Sequence, residues 1–236
     1  MSRPLVVAAH GTASPEGQAV VRACAARAGE VLGMPAPPVV GFVDVCGPTL
    51  AEVLVGLEDP VVVPFFLASG YHVNHDVPAA LADVPGATAT PALGTADEVV
   101  QALAARVRET LPAGESPDAV LVLGAGSSDD HARGEVATVA QRVAEDLGCA
   151  AGTAFLSGPG PRPEEELARL REDGHTRVAV AAHLLSPGFF LDKAHAVADA
   201  AGVSRTQPLA THDLLARLVA RRYREARLPD VGPRSS

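Results

Sequence analysis

The chain has 236 residues, 47% of them hydrophobic and 20% charged, enough to bury a sizeable core in one large domain or two small ones. Its formal net charge of −9 argues against nucleic acid as a partner, because phosphate binding is driven by clustered Lys and Arg. No apolar run approaches the ~20 residues that span a bilayer and the N-terminus lacks a signal-peptide shape, so no membrane partner is expected and a cytoplasmic location is the default.

In chain order, short apolar runs predict strands near 4–9, 39–45, 60–66 and 87–91, alternating with helices near 16–32, 49–57, 77–83 and 96–110. The Pro- and Gly-containing stretch from Leu111 to Pro117 reads as a connection. It divides a half at 1–112 from a half at 118–230 through a linker at 113–117, and 231–236 reads as a disordered tail. In the second half, strands near 119–123, 152–156, 177–182 and 205–208 alternate with helices near 131–147, 164–172, 192–200 and 213–226. The strands are runs of Val, Ala and Phe rather than alternating patterns, which suits parallel sheets covered on both faces. Cys24, Cys46 and Cys149 are too widely spaced for a structural zinc site, and their odd number argues against a disulfide framework.

The two halves repeat in residues as well as in pattern. Thr90 to Asp97 (Thr-Pro-Ala-Leu-Gly-Thr-Ala-Asp) aligns with Thr206 to Asp213 (Thr-Gln-Pro-Leu-Ala-Thr-His-Asp), and Leu5 to Thr12 aligns with Val120 to Ser127. The expected fold is therefore α/β: two similar halves, each a four-stranded parallel sheet flanked by helices, facing each other across a cleft. Val180 to Gly188 matches Val61 to Gly70 less closely, with one gap; Ala125 then stands where the first half has His10, and Phe190 where it has His72. A duplication that keeps the fold and loses both histidines points to one site, carried by the first half, with the second half as a wall or lid.

The candidate site lies at the carboxyl ends of the strands, where open parallel sheets bind ligands. His10 follows the first predicted strand, Asp44 ends the second and His72 follows the third, so all three emerge on one sheet edge. Neutral imidazole is a ligand for borderline divalent metals and a base near neutral pH. Gly11 lets the backbone approach a ligand, and Thr12 or Ser14 is placed to cap the next helix. Asp76, just before Val77-Pro78, reads as a helix cap, with His75 peripheral. His183 replaces Pro64 at a strand end and is a further candidate to face the cleft. Ser127 and Ser128 read as caps, since Gly124-Ala-Gly-Ser-Ser lacks the lysine of a phosphate loop and the third glycine of a dinucleotide fingerprint.

Taken together, His10-Gly11-Thr12, the segment Gly41 to Leu50 around Asp44, and Pro64-Phe-Phe-Leu…Gly70-Tyr71-His72-Val-Asn-His75-Asp76-Val-Pro78 resemble the class II tetrapyrrole metal chelatases, most closely the sirohydrochlorin chelatases of the CbiX/SirB type. The resemblance implies insertion of a divalent metal, Fe²⁺ or Co²⁺, into sirohydrochlorin with release of two protons, for sirohaem or cobalamin synthesis. It implies the metal as substrate and no nucleotide or covalent cofactor. The family's active-site histidines map onto His10 and His72 and a carboxylate onto Asp44; Gly11, Thr12, Gly70 and Tyr71, beside the histidines, are read as candidate substrate contacts. One duplicated chain can form the cleft alone, implying a monomer with a dimer as the alternative. A non-catalytic tetrapyrrole or metal carrier is the competing reading, and a histidine-dependent phosphoryl-transfer or hydrolytic enzyme a third; that last class would need an arginine beside His10 or a serine elbow, and neither is present.

Overall fold

The structure, a computed structural model, describes residues 3–227, so the tail at 231–236 lies outside the described residues. Strands β1 (Leu5–Ala9), β2 (Val39–Phe42), β3 (Val61–Phe65) and β4 (Thr88–Ala89) form a parallel sheet in the order β2-β1-β3-β4. Helices α1 (Pro15–Leu32) and α2 (Leu50–Leu54) join the first three strands; a π-helical turn (His72–Asp76), α3 (Val77–Leu81) and, after β4, α4 (Asp97–Arg108) complete the half. The second half repeats the scheme: β5 (Ala119–Gly124), β6 (Ala150–Phe155) and β7 (Val178–Ala182) pair in the order β6-β5-β7. Helices α5 (Asp130–Leu147), α6 (Pro163–Glu172), α7 (Phe189–Ala201) and α8 (Asp213–Glu225) flank it. No helix among the described residues is long and apolar enough to cross a membrane.

The expected fourth strand of the second half, near 205–208, does not form; the second sheet has three strands among the described residues. The reason is a side chain. The N–H of Ala182 at the end of β7 donates to the Thr206 hydroxyl at 2.9 Å, so a buried threonine takes the place of a backbone partner, and Pro208 two residues on has no N–H to offer. In the first half the equivalent Thr90 keeps a backbone bond, its N–H donating to Val62 O at 2.9 Å.

Both sheets are buried on both faces, as runs of Val and Ala require. The outer faces carry separate cores: Val6, Ala8 and Val62 with Leu50, Leu54 and Val77 in the first half, and Leu121, Leu123 and Val180 with Leu167, Leu170 and Leu191 in the second. The inner faces share one core, in which Leu5, Val7 and Val63 belong to the same cluster as Val120, Val122 and Ala181. The last helix of each half crosses over within that cluster. Helix α4 lies on α5 and β7 of the second half, while α8 lies on α1 and β3 of the first. Paired charges guide the exchange: Arg221 of α8 grips Glu98 of α4 with two bonds of 2.7 and 2.9 Å, and Arg27 of α1 meets Asp213 of α8 at 2.7 Å.

Tyr223 of α8 is the largest fully buried side chain, and its hydroxyl donates to Arg3 O at 2.6 Å. Tyr223→Phe should cost about 1 kcal/mol, the contribution of one internal hydrogen bond. Tyr223→Ala should cost about 3–5 kcal/mol, the range for deletion of a large aromatic. Urea midpoints at unchanged slope measure both, and a Phe variant as stable as the parent would show that the bond to Arg3 contributes nothing.

Candidate active site at the strand ends

Where β1 ends, His10 is held by the continuation of strand pairing: its carbonyl accepts from Asp44 N at 2.9 Å. Gly11 then turns with φ +104°, and a Cβ there would lie 2.0 Å from Asp44 O, so only glycine permits the approach of the two loops. Ser14, not Thr12, caps α1, accepting from Gly17 N at 3.1 Å; the Thr12 hydroxyl accepts from Ser14 N instead. The serines expected to cap α5 likewise yield to Asp129, which accepts from His131 N at 2.8 Å, while the Ser127 hydroxyl accepts from Asp129 N.

After β3 the chain leaves the sheet and coils into the π-helical turn, a local geometry frequent at functional sites. The turn brings the Asp76 carboxylate to 2.5 Å from His72 Nδ1. The sequence reading makes Asp76 a helix cap, and in the structure it makes no such bond. The segment before α3 is already helical, with Val77 N donating to His72 O, so the cap has no free N–H to serve and the carboxylate turns to the imidazole.

The His10 and His72 rings meet edge to face, with centroids 4.6 Å apart and planes at 89°. Hydrogen bonding sets their tautomers. Asp76 can only accept from His72 Nδ1, and the Gly11 carbonyl, 3.1 Å from His10 Nδ1, can only accept as well. Both protons therefore sit on Nδ1, and both Nε2 atoms keep lone pairs for a cation or a proton. Among the described residues no three His, Cys, Asp or Glu side chains are grouped to hold a metal ion, so this is an open pair rather than a closed cage.

The pair opens into a cleft of about 700 Å³ between the two halves. Gly11, Thr12, Gly70 and Tyr71 line one wall; Ala125, Ser127, Phe189 and Phe190 line the other. Phe189 follows Gly188 as Tyr71 follows Gly70, and these two exposed aromatics (68% and 64%) occupy equivalent lips of the cleft. Sequence reasoning does not single out Phe189, although the repeated glycine before it is the available signal. Among the described lining residues there is no Asp or Glu, and Arg133 is the single Arg or Lys. Its guanidinium donates to Ser127 O at 2.6 Å and pairs with Asp130.

Two candidates lie elsewhere. The Asp44 carboxylate is turned onto its own loop, accepting from Val45 N at 2.7 Å, and does not line the cleft. Val45 itself has φ 64°, a costly conformation for a β-branched residue. His75 is exposed and stacks on Tyr71 at 4.5 Å between centroids, outside the cleft lining.

His183 does line the cleft, one register position from where the alignment puts it. Leu123 pairs with Ala182, and His183 N donates to Leu123 O, so His183 lies beside Gly124 as Phe65 lies beside Ala9. It therefore replaces Phe65, not Pro64. The side chain is 3% exposed, its Nε2 has no hydrogen-bond partner, and burial pushes its pKa down to about 4.

Fold and site together define a two-lobed α/β protein with a paired-imidazole centre beyond the carboxyl ends of the adjacent strands β1 and β3. The chain belongs to the CbiX family, the sirohydrochlorin-chelatase family its motifs resemble: the family model CbiX matches residues 4–110 and again 119–226. Among solved structures it is similar to SirB from Bacillus subtilis with Fe³⁺ (TM-score 0.75, 21% identity, 95% of each chain covered). It is also similar to CbiX, the terminal enzyme for biosynthesis of sirohaem in denitrifying bacteria (TM-score 0.65, 19% identity, 96% of this chain and 100% of that one). A multi-domain protein from Deinococcus radiodurans with structural similarity to chelatases matches at TM-score 0.70 and 23% identity, over 98% of this chain and 56% of its own. No curated protein sequence matches the chain.

This geometry makes two predictions. His183 stays neutral in the folded state below its ordinary value of 6.5, so the unfolded chain binds the extra proton as pH falls from 6.5 to 4 and stability is lost over that window. The loss is roughly 1.4 kcal/mol per unit of depression. His183→Phe, which copies Phe65, should flatten that limb of the stability–pH curve, and an unchanged limb would clear His183 of responsibility. Gly11→Ala should destabilise by more than about 1 kcal/mol and displace His10, seen as lowered urea midpoint and weakened Co²⁺ binding together.

Proposed function

We propose that this chelatase inserts a divalent metal, Fe²⁺ or Co²⁺, into a sirohydrochlorin-type tetrapyrrole, releasing two protons. The observation that carries the reading is the pair of edge-to-face imidazoles, both with Nε2 free, opening into a cleft whose lining has no carboxylate side chain among the described residues. The metal is the substrate. His10 and His72 receive it through Nε2, and its other positions stay open to pyrrole nitrogens. As metal–nitrogen bonds form, the two pyrrole N–H protons leave; an imidazole that has given up the ion can accept one at Nε2, and the other passes to water in the open cleft. Asp76, 2.5 Å behind His72, stabilises the imidazolium that results.

The walls suit a flat anionic ring. Tyr71 and Phe189 offer aromatic faces from opposite halves, Phe65, Phe66, Leu184 and Leu185 offer apolar surface, and Arg133 offers a peripheral carboxylate a guanidinium that it shares with Asp130. Asp44 acts by shaping the loop against Gly11 rather than by ligating the ion. The reaction moves no electrons, so it calls for no redox cofactor, and one chain supplies both walls of the site.

Anaerobic mixing of sirohydrochlorin with Fe²⁺ or Co²⁺, followed by absorbance, tests the reading. His10→Ala and His72→Ala should each slow insertion by about 10²-fold or more while leaving the fold intact. Asp76→Asn should slow it by about tenfold, the usual cost of removing a histidine's outer partner. Ligand binding with a wild-type rate equal to the uncatalysed one for both metals would instead indicate a carrier.

A further inference from the structure

We propose that Glu135, on α5 of the second half, is a positioning residue that fixes the turn carrying His72. This rests on reading His10 and His72 as the metal-receiving pair. Glu135 uses both carboxylate oxygens on one residue of the other half: Ser69 N donates to Oε2 at 2.5 Å and the Ser69 hydroxyl to Oε1 at 3.1 Å. The glutamate side chain is only 16% exposed, with His131 Nε2 at 3.9 Å as its basic neighbour on the same helix. Bonds to an ionised acceptor in such a shielded place are among the stronger ones a protein makes.

Ser69 is the pivot of the segment that carries His72. Its carbonyl accepts from Asn74 Nδ2 at 2.9 Å, and the adjacent Gly70 carbonyl accepts from Val73 N and Asn74 N, both at 3.1 Å. These three bonds initiate the π-helical turn in which His72 meets Asp76. Gly70 itself rests against the second half, since a Cβ there would lie 3.6 Å from Ser127 Oγ and 3.8 Å from the Ala132 Cβ. The loop between β3 and His72 is thus anchored to α5, and the orientation of His72 is set from across the cleft. The second half carries neither equivalent histidine, yet the first half's histidine depends on it for placement.

Carboxamide and carboxylate make different predictions from volume or charge. In Glu135→Gln the amide oxygen can accept from Ser69 N and the amide nitrogen can donate to Ser69 Oγ, so both bonds survive without the charge. Glu135→Met keeps volume and loses both bonds. The full-length protein is titrated with Co²⁺ alone, read by the visible band of histidine-bound Co²⁺, and amide hydrogen exchange is followed over residues 69–76 with no metal present. Glu135→Ala and Glu135→Met should weaken Co²⁺ binding by about tenfold. They should also speed exchange in that segment by about tenfold, whereas Glu135→Gln stays within about twofold of wild type on both measures. Metal binding and exchange unchanged in Glu135→Ala would overturn the proposal, as would Glu135→Gln failing as badly as Glu135→Ala. If wild type gives no histidine-bound Co²⁺ band, the metal reading falls, and exchange alone still decides whether Glu135 fixes the turn. Should Glu135→Ala not fold, Ser69→Ala carries the test: Co²⁺ binding weakened by about threefold supports the anchor, and wild-type binding overturns it.

Discussion

The cleft exists because two parallel sheets bury their inner faces in one shared core. Helix α4 closes on the second sheet and α8 on the first, so neither half has a complete inner face of its own. Each sheet would otherwise expose a strip of Val and Leu, and burial of such side chains contributes about 1.5–3 kcal/mol apiece. The exchange fixes the halves relative to each other, and that relation brings the ends of β1 and β3 opposite those of β5 and β7. A polar contact such as Glu135 to Ser69 can then set the His72 turn, because packed apolar surface already holds its two sides in register.

The fold was legible because parallel strands covered on both faces leave a plain trace, short runs of Val and Ala at regular spacing, and because the repeat says it twice. The positions of His10 and His72 followed from strand ends alone. What escaped were features decided by one hydrogen bond rather than by periodicity. A threonine hydroxyl in place of a backbone carbonyl removed the fourth strand of the second half. A π-helical turn, which has no sequence period of its own, converted Asp76 from a cap into the partner of His72. Asp44 was drawn onto Val45 N by a loop conformation the sequence does not announce. His183 was misplaced by one residue because apolar runs align equally well at neighbouring registers, and only the strand pairing distinguishes them.

Charge shows the same dominance of local arrangement over composition. A chain of net charge −9 should repel an anionic ligand, and long-range attraction is not available to it. Yet the cleft lining holds three histidines, one arginine and no carboxylate among the described residues. Other acids are engaged away from the lining, in surface pairs such as Asp199 with Arg205 and Asp213 with Arg27 and Arg217 and in the bond of Glu135 to Ser69, while Asp130 pairs with the cleft's Arg133. Asp76 is the acid nearest the pair, and it stands behind an imidazole, where it acts on the ligand only through that ring.

The two imidazoles are not equivalent donors. His72 Nδ1 donates to a carboxylate at 2.5 Å, while His10 Nδ1 donates to the neutral carbonyl of Gly11 over a longer 3.1 Å. His10 is exposed and His72 is partly buried against Phe66, so water competes for one more than for the other. The inequality has a structural origin: His10 follows β1 directly, whereas His72 sits beyond β3 on the π-helical turn, which brings the Asp76 carboxylate to 2.5 Å from its Nδ1.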